Sequence, residues 1–385
     1  MDRSWLKAWF GGLLLCGLLA GGYEWSLRER GYAPTVQDDA DLWSIQYERV
    51  KSSPNTVALL GASRIEFGID PALLSSDLGR PVAMLAVNGK YPLATLRALS
   101  EDERYAGLVI VGIDARGMQR KHWDMQQDYL DHYRHRWTLA RRIHRVLLTP
   151  LQERLVLTRS SFSLVNLVER LVAGDGLPRN EHTVVRADRA GFVDYRHPDL
   201  AWTHAKRVTD LQAYYRDNSP VDAETWLADL ATVSQWVKRI EGRGGRVVFF
   251  REPVSGESLQ LDEANFPRER YWDAYARISP ATMIDFRDVP ELTALTLPDT
   301  SHIDATDVPR FTKTLANALK SRDLVPRQGG KAGVMAPLRI SSNAECRSLG
   351  FAMPRQNYRR KRAALPRPLS TLSQCRFCSD RGLYK

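Results

Sequence analysis

Two short segments, far apart in the 385-residue chain, carry residue types that can catalyse acyl transfer. In the first, Ser63 follows directly after an apolar run, and a serine at such a tight turn can act as a nucleophile while its backbone N–H binds an oxyanion. The second contains Asp299 and His302, which are three residues apart and can share one loop. A carboxylate in that position orients the imidazole, which then serves as a general base.

Each segment taken alone also fits a structural role. A serine in a strand-terminal turn often caps the following helix, and the stretch 297–304 has the Asp and Ser residues of an N-cap cluster. The residues around Ser63 are not the G-x-S-x-G elbow of α/β-hydrolases. Taken together the segments are more informative, because both follow predicted strands and a parallel sheet collects its strand ends in one cleft.

Five compact apolar runs predict the sheet that would position these residues. They are Val57–Leu60, Val82–Val87, Leu108–Ile113, Val247–Phe250 and Met283–Phe286. Continuous apolar character is typical of strands covered on both faces. Helical patterns alternate with the runs: they begin at Asp70-Pro71, Leu93, Pro220, Arg268 and Ala305. The sequence therefore predicts an α/β three-layer sandwich with a five-stranded parallel sheet.

Residues 119–218 interrupt this alternation. They predict a mostly helical insertion, with helices over Trp123–Leu148 and Gln152–Val172 and a strand at Gly191–Tyr195. Since the insertion follows a strand's carboxyl end, we expect it to cap the ligand-binding side of the sheet.

With a serine after the first strand and an Asp-x-x-His before the last helix, the chain resembles the SGNH (GDSL-like) hydrolase superfamily, over roughly residues 55–118 and 219–320. The resemblance implies a flavodoxin-like five-stranded sheet. It also implies that Ser63, His302 and Asp299 form a catalytic triad. Among the superfamily's members, the chain looks most like membrane-anchored bacterial proteins outside the cytoplasm, several of which act on acyl groups of polysaccharides.

The oxyanion hole is where the resemblance is incomplete. Asn88-Gly89 looks like the family's glycine block, so the backbone N–H groups of Ser63 and Gly89 are the implied donors. After the third strand the family usually has Gly-x-Asn-Asp, whereas this chain has Asp114 in place of the asparagine. Loss of one such donor typically costs about 3 kcal/mol of transition-state stabilisation. Asn88 and Arg116 are the candidates to replace it.

Charged residues after the predicted strands are candidates for substrate binding. They are Arg64, Asp114, Arg116 and Arg251. Arg251 and its neighbour Glu252 fit an ordinary surface ion pair equally well.

No metal or other cofactor is expected. The insertion's histidines lack a carboxylate or cysteine that would complete a ligand set; they are His122, His132, His135 and His144. No G-x-G-x-x-G follows any predicted strand, which argues against a nucleotide-binding Rossmann domain. Residues 120–154 hold 8 Lys/Arg against 4 Asp/Glu with interleaved aromatics. They predict either a surface for anionic glycans or lipid headgroups, or a solvated helix with its aromatics in the core.

Residues 1–30 predict a membrane anchor and linker. Arg3 and Lys7 precede an uncharged run, Ala8–Tyr23, with tryptophans near both ends. Positive charge on the N-terminal side places the body outside the cytoplasm, in the periplasm if the anchor lies in a bacterial inner membrane. There are two alternatives: a cleaved signal peptide, with the small residues Ala20 and Gly22 at a possible cleavage site, and a buried core helix.

The net charge of +10 belongs to the C-terminal tail. Residues 323–385 hold 13 Lys/Arg and 3 Asp/Glu, and residues 1–322 are balanced. The body therefore lacks the basic footprint of a nucleic-acid-binding domain. The tail is predicted to be disordered, and its Cys375-x-x-Cys378 resembles half a zinc site or a redox pair.

Two functional hypotheses follow. In the first, the SGNH-like domain 31–322 is an anchored acyl esterase or acyltransferase whose substrate is an acylated carbohydrate or acyl donor, with polysaccharide-biosynthesis proteins as partners. In the second, the domain has lost catalysis and binds polysaccharide or a partner enzyme. The missing asparagine after the third strand motivates the second.

Overall fold

The computed structural model describes residues 3–325. All but the first residues of the predicted tail 323–385, with its cysteine pair, lie outside the described residues. The described chain forms part of one compact unit.

The elements alternate along the chain as the apolar runs predicted. The strands are β1 (Val57–Leu60), β2 (Val82–Met84), β3 (Leu108–Gly112), β4 (Thr183–Val185), β5 (Gly191–Val193), β6 (Arg246–Arg251) and β7 (Thr282–Asp285). The helices are α1 (Arg3–Glu29), α2 (Ala40–Ser52), α3 (Ser63–Glu66), α4 (Pro71–Leu78), α5 (Leu93–Glu101), α6 (Gln127–His135), α7 (Leu139–Gln152), α8 (Leu164–Ala173), α9 (Thr203–Asp217), α10 (Ala223–Glu241), α11 (Gly256–Asn265), α12 (Trp272–Ala276), α13 (Pro290–Thr293) and α14 (Val308–Lys320). Short 3₁₀ turns link several of them.

Five of these strands form one parallel sheet in the order β2-β1-β3-β6-β7. The other two, β4 and β5, form an antiparallel hairpin. The order reverses between β1 and β3, and at such a switch point an open α/β sheet binds its ligands. The predicted fold class, a five-stranded parallel α/β sandwich, is confirmed.

The side chains of each strand alternate between two cores. Ala58 and Leu60 of β1 face the core that holds α2, α5 and α10. Val57 and Leu59 face the core that holds α4 and α14. Both cores exclude solvent almost completely, which explains why the strand sequences are continuously apolar rather than alternating.

The insertion differs from its prediction in detail. The single helix expected over Trp123–Leu148 is wrong: α6 ends at His135, and α7 starts anew at Leu139, where the Thr138 side chain accepts a hydrogen bond from the backbone N–H of Arg141. The second predicted helix is also shorter, since 3₁₀ turns occupy the residues before Leu164. The sequence analysis missed the helices α2, α9 and α11, and also the one-turn helices α3 and α13.

Helix α1 is apolar and long enough over Trp5–Glu29 to cross a membrane. Its side chains from Trp5 to Tyr23 are exposed, so the alternative of a buried core helix is wrong. Burial begins only at Glu24 and Leu27, where the helix meets the insertion.

Candidate active site

The turn after β1 is shaped by two glycines. A Cβ on Gly61 would lie 2.4 Å from Cγ1 of Ile65, and a Cβ on Gly112 of the neighbouring strand would lie 2.1 Å from the same atom. Because neither glycine carries a Cβ, α3 can pack closely against the ends of β1 and β3. Ser63 is the first residue of α3, so its backbone N–H has no acceptor one turn earlier within the helix. Ala62 occupies the N-cap, and the alternative of Ser63 as a helix cap is therefore wrong.

The loop before α14 is folded around the Asp299 carboxylate. Its Oδ1 accepts hydrogen bonds from the backbone N–H groups of Ser301 at 2.9 Å and of His302 at 2.7 Å. Thr300, between Asp299 and Ser301, has a φ of +70°, which is unfavourable for a β-branched residue. The Thr300 hydroxyl and carbonyl are held by Ser258 and Ser255 of the segment that starts α11. Contacts outside the loop thus maintain a conformation that brings Asp299 and His302 together.

Ser63, His302 and Asp299 form one continuous hydrogen-bonded chain. Ser63 Oγ lies 2.9 Å from Nε2 of His302, and Nδ1 of the same ring lies 2.7 Å from Oδ2 of Asp299. Asp299 is 5% exposed. Burial opposes its ionisation, but the hydrogen bonds from His302 and the two backbone N–H groups hold the pKa of Asp299 below its usual range. The structure therefore brings together the three residues that the sequence analysis selected from two segments far apart in the chain.

Two further side chains contact this chain and were not selected from the sequence. The Tyr195 hydroxyl donates to Oδ2 of Asp299 at 3.2 Å, and Ser301 Oγ lies 3.0 Å from Nδ1 of His302. Burial and the Asp299 carboxylate raise the pKa of Tyr195, so it stays a donor. Tyr195 belongs to the insertion, and no motif connects it with Asp299.

A pocket of about 270 Å³ opens at Ser63, between the sheet edge and the insertion. Its lining comprises Ala62, Ser63, Arg64, Gly89, Tyr91, Arg116, His122, Met125, Arg207, Asp210, Leu211 and Tyr214. The insertion thus covers the predicted side of the sheet. Gly89 lies in this lining with a φ of +73°, whereas its predicted companion Asn88 does not line the pocket. The Asn88 backbone hydrogen-bonds to Glu66 instead.

Asp114 is the residue that stands where an asparagine was expected. It is buried, and its Oδ2 accepts from Nη2 of Arg64 at 2.7 Å and from Nη2 of Arg116 at 3.4 Å. Its Oδ1 accepts from the Gly117 backbone at 2.7 Å. These bonds keep the pKa of Asp114 below its usual range, although burial opposes ionisation. An ionised carboxylate cannot donate to an oxyanion, so Asp114 instead positions two arginines that line the pocket.

The four predicted substrate-binding residues thus divide into two groups. Arg64 and Arg116 line the pocket, whereas Asp114 and Arg251 do not. The Arg251 guanidinium is buried away from the lining, where Nη1 donates to Glu263 at 3.0 Å and to Asp285 at 3.4 Å. Its role is to connect β6 with β7, since Asp285 ends β7.

Arg207 of α9 is the pocket cation that sequence analysis missed. Its buried Nε has no hydrogen-bond partner among residues 3–325. Burial, together with the guanidinium groups of Arg64 and Arg116, lowers the pKa of Arg207. Burial also lowers the pKa of His122 to about 4, so this pocket histidine is neutral at pH 7 and contacts the Tyr214 hydroxyl at 2.9 Å. The pocket beside Ser63 therefore combines three arginines, Arg64, Arg116 and Arg207, with the Asp210 carboxylate, and the Nε of Arg207 is available to a ligand.

The carboxylate of Glu66, the last residue of α3, is buried beside the partly buried carboxylate of Asp38. Burial and the adjacent carboxylate of Asp38 raise the pKa of Glu66 to about 8. Asp38 itself accepts both ends of the Arg189 guanidinium, at 2.6 and 2.7 Å. Arg189, from the β4–β5 hairpin, also donates to the Met84 carbonyl at 2.9 Å, and so joins the insertion to β2.

One group in the described part of the chain has the side chains of a metal site, and it is distinct from the histidines considered in the sequence. His182, His197 and Asp199 bring their donor atoms within 4.8 Å of one another. The two imidazoles are stacked, with ring centroids 3.4 Å apart and 19° between their planes. Ring nitrogens bind metals in the ring plane, so these two rings would have to rotate before they shared one ion.

Comparisons with known proteins add little to this geometry. No known protein family matches the sequence, and no curated protein matches it. Among solved structures, the chain is similar to the crystal structure of TesA, at 12% identity and a TM-score of 0.31, over 69% of this chain and 99% of that chain. A likeness at this level carries no argument about function, and the fold is established by the sheet order itself.

Proposed function

We propose that this protein is a membrane-anchored serine acyl esterase or acyltransferase with the catalytic triad Ser63, His302 and Asp299. The observation that carries the proposal is the unbroken hydrogen-bonded chain from the hydroxyl to the buried carboxylate, with the hydroxyl in the lining of a pocket. Tight coupling of a nucleophile, a base and an orienting carboxylate is the arrangement that activates a serine for attack on a carbonyl.

The reaction would proceed through an acyl-enzyme. His302 Nε2 takes the proton of Ser63 as Oγ attacks the ester carbonyl, and Asp299 stabilises the imidazolium that forms. The tetrahedral intermediate collapses when His302 returns this proton to the leaving alcohol. A water molecule or a sugar hydroxyl then attacks the acyl-enzyme, with His302 again as the base. The attacking hydroxyl decides between hydrolysis and transfer.

Two backbone donors support the oxyanion of this intermediate. The N–H of Ser63 is at the start of α3, and Gly89 faces the same pocket. Arg116 also lines the pocket and takes the place of the missing asparagine in this proposal. Its guanidinium is anchored by Asp114 and by the Tyr91 hydroxyl, at 2.9 Å from Nε. A cation held in this way would need no reorganisation as negative charge develops.

The charge of the pocket supports an anionic substrate. Arg64 and Arg116 share the Asp114 carboxylate and also face Glu252 and Asp262, whereas the buried Nε of Arg207 has no hydrogen-bond partner in the described chain. A carboxylate or phosphate on the acylated molecule could accept charge-assisted hydrogen bonds from the Arg207 guanidinium. Together with α1, this supports an acidic acylated carbohydrate outside the cytoplasm as the substrate, and polysaccharide-biosynthesis proteins as partners.

The alternative function is non-catalytic binding of such a carbohydrate. The observation that favours it is Asp114, because the family-like asparagine donor is replaced by a carboxylate that binds two arginines. In that case the same pocket would bind an anionic glycan without turnover.

Labelling with a fluorophosphonate probe separates the two functions. We expect full-length protein in native membranes to be labelled, and Ser63→Ala to abolish the labelling. Ser301→Ala is the matched control, since it removes a neighbouring hydroxyl that touches the same imidazole without being the nucleophile. If the wild type is not labelled, or if Ser63→Ala is labelled equally, the catalytic proposal fails. Glycan binding that persists in Ser63→Ala would then support the alternative.

A further inference from the structure

Helix α7 is oriented with its apolar side outward. The residues that it buries are polar: Arg145, Thr149 and Gln152. Its exposed residues include Leu139 at 71%, Ile143 at 51% and Leu147 at 67%. These apolar residues recur at a spacing of four, so they form one continuous stripe. A water-soluble surface helix has the reverse arrangement, with its apolar stripe against the core.

Helix α8 has a similar exposed face. Val165 is 66% exposed, Leu171 is 78% exposed and Val172 is 84% exposed. Together, α7 and α8 present a set of apolar side chains that we call the outer apolar face. It consists of Leu139, Ile143, Val146, Leu147, Leu151, Val165, Val168, Leu171 and Val172. Exposed apolar side chains in this number, on two helices that are neighbours along the chain, mark an interaction site.

The C-terminal end of α1 docks on the segment that links α7 and α8, and so sets the position of these helices along the α1 axis. Glu24 Oε1 and Oε2 accept from the backbone N–H groups of Val156 at 2.9 Å and Leu157 at 3.0 Å. Leu27 packs with Val156 and Phe162. The docking segment, residues 154–162, is therefore the link between α7 and α8, and both helices flank the place where α1 leaves the body.

The length of the free part of α1 matches a bilayer. Residues from Trp5 to Tyr23 are exposed and precede the docked residue Glu24. At about 1.5 Å per residue, these residues cover roughly 28 Å, close to the hydrocarbon thickness of about 30 Å. If α1 enters the bilayer at Trp5, it therefore reaches the opposite interface near Glu24, where it docks on the body. The aromatic rings of Tyr23 and Trp25 are suited to that interface.

We propose that α7 and α8 lie in the headgroup region of the bilayer that α1 spans, with the outer apolar face directed to the acyl chains. The inference rests on the membrane anchor of the proposed function, but not on catalysis. A lipid surface, rather than a protein partner, is favoured because α7 and α8 directly precede and follow the segment on which the membrane-length helix α1 docks. Near this face Arg154 is exposed, and its long side chain can extend towards anionic headgroups, whereas the exposed Arg141 and Arg142 pair with Asp41 and Glu48 of α2.

The test uses the full-length chain, with its four cysteines replaced by serine, in liposomes that contain anionic lipid. A single cysteine carrying an environment-sensitive fluorophore is placed at Leu147 or at Val168. The matched control is Ile278, which is 64% exposed but belongs to the segment before β7. We expect blue-shifted emission at both test positions. We also expect quenching by brominated acyl chains to be at least about twofold stronger there than at Ile278.

Flotation of the same samples separates the possible failures. Protein that floats with the liposomes while Leu147 and Val168 resemble Ile278 overturns the inference and leaves the anchor intact. A blue shift without quenching by brominated lipid also overturns it, because the face is then covered by protein, such as a second copy. Protein that does not float contradicts the anchor and the inference together, while fluorophosphonate labelling of Ser63 still reports separately on catalysis.

Discussion

The substitution Asp299→Asn tests the triad through its hydrogen bonds. Oδ1 of Asp299 accepts from two backbone N–H groups, so the oxygen of an asparagine must occupy that position. Its amide nitrogen then takes the place of Oδ2, 2.7 Å from Nδ1 of His302. Because that nitrogen can only donate, Nδ1 becomes an acceptor and the ring proton moves to Nε2. His302 would then direct a proton at Ser63 and could no longer accept one.

The expected effect is large although the fold is retained. In Ser-His-Asp enzymes the wrong imidazole tautomer lowers kcat by about 10⁴-fold, which corresponds to about 5 kcal/mol of transition-state stabilisation. The assay is the rate of fluorophosphonate labelling, together with turnover of a chromogenic ester, at matched pH. Thermal unfolding of the variant verifies that the loop remains folded.

Tyr195→Phe is the matched control for this experiment. It removes a hydrogen bond to the same Oδ2 but leaves the carboxylate and the imidazole tautomer unchanged. We expect a loss of about tenfold or less, in line with about 1.5 kcal/mol for a hydrogen bond to a charged group. If Asp299→Asn keeps a labelling rate within tenfold of the wild type, the proton relay through His302 is refuted.

Two further outcomes follow from the charges near the site. Arg207→Gln should raise the KM of an ester that bears a carboxylate about tenfold and leave that of a neutral ester unchanged, with partial rescue in Arg207→Lys; equal effects on both esters would contradict an anion subsite. Glu66 ionises near pH 4.5 in the unfolded chain but at about 8 when folded, so the wild type loses stability as pH rises between these values. Glu66→Gln should remove this loss, so the Tm of the variant should rise relative to that of the wild type between pH 5 and pH 8, by roughly 2–4 °C for each kcal/mol that the wild type loses. A difference in Tm that stays constant over this range would show that Glu66 does not titrate there.

The sheet was accessible from sequence because its physics is local. A strand buried on both faces must be apolar throughout, and the five runs therefore marked all five strands of the sheet. Helix α7 shows the limit of the same reasoning. Its periodicity reveals two faces, but which face is buried depends on neighbours, here the polar contacts of Arg145 with Gln152 and with the Gln37 carbonyl.

The candidate site shows a similar division. Ser63, Asp299 and His302 could be selected because their roles require particular residue types at strand ends. Tyr195 and Arg207 could not, since the insertion brings them to the pocket by tertiary packing and neither belongs to a motif. The neighbours Asn88 and Gly89 were selected together, yet only Gly89 reaches the pocket lining.

The clamp between Glu24 and the backbone of Val156 and Leu157 has a mechanical consequence. A flexible tether would let the Ser63 hydroxyl move through a volume that grows with tether length. A helix bonded directly to the body allows little more than rigid tilting of the whole molecule. An anchored copy would thus hold Ser63 at one nearly constant height above the lipid. Polymers that emerge close to the membrane would pass within reach of Ser63 at this height. Chains already released into the surrounding medium would not.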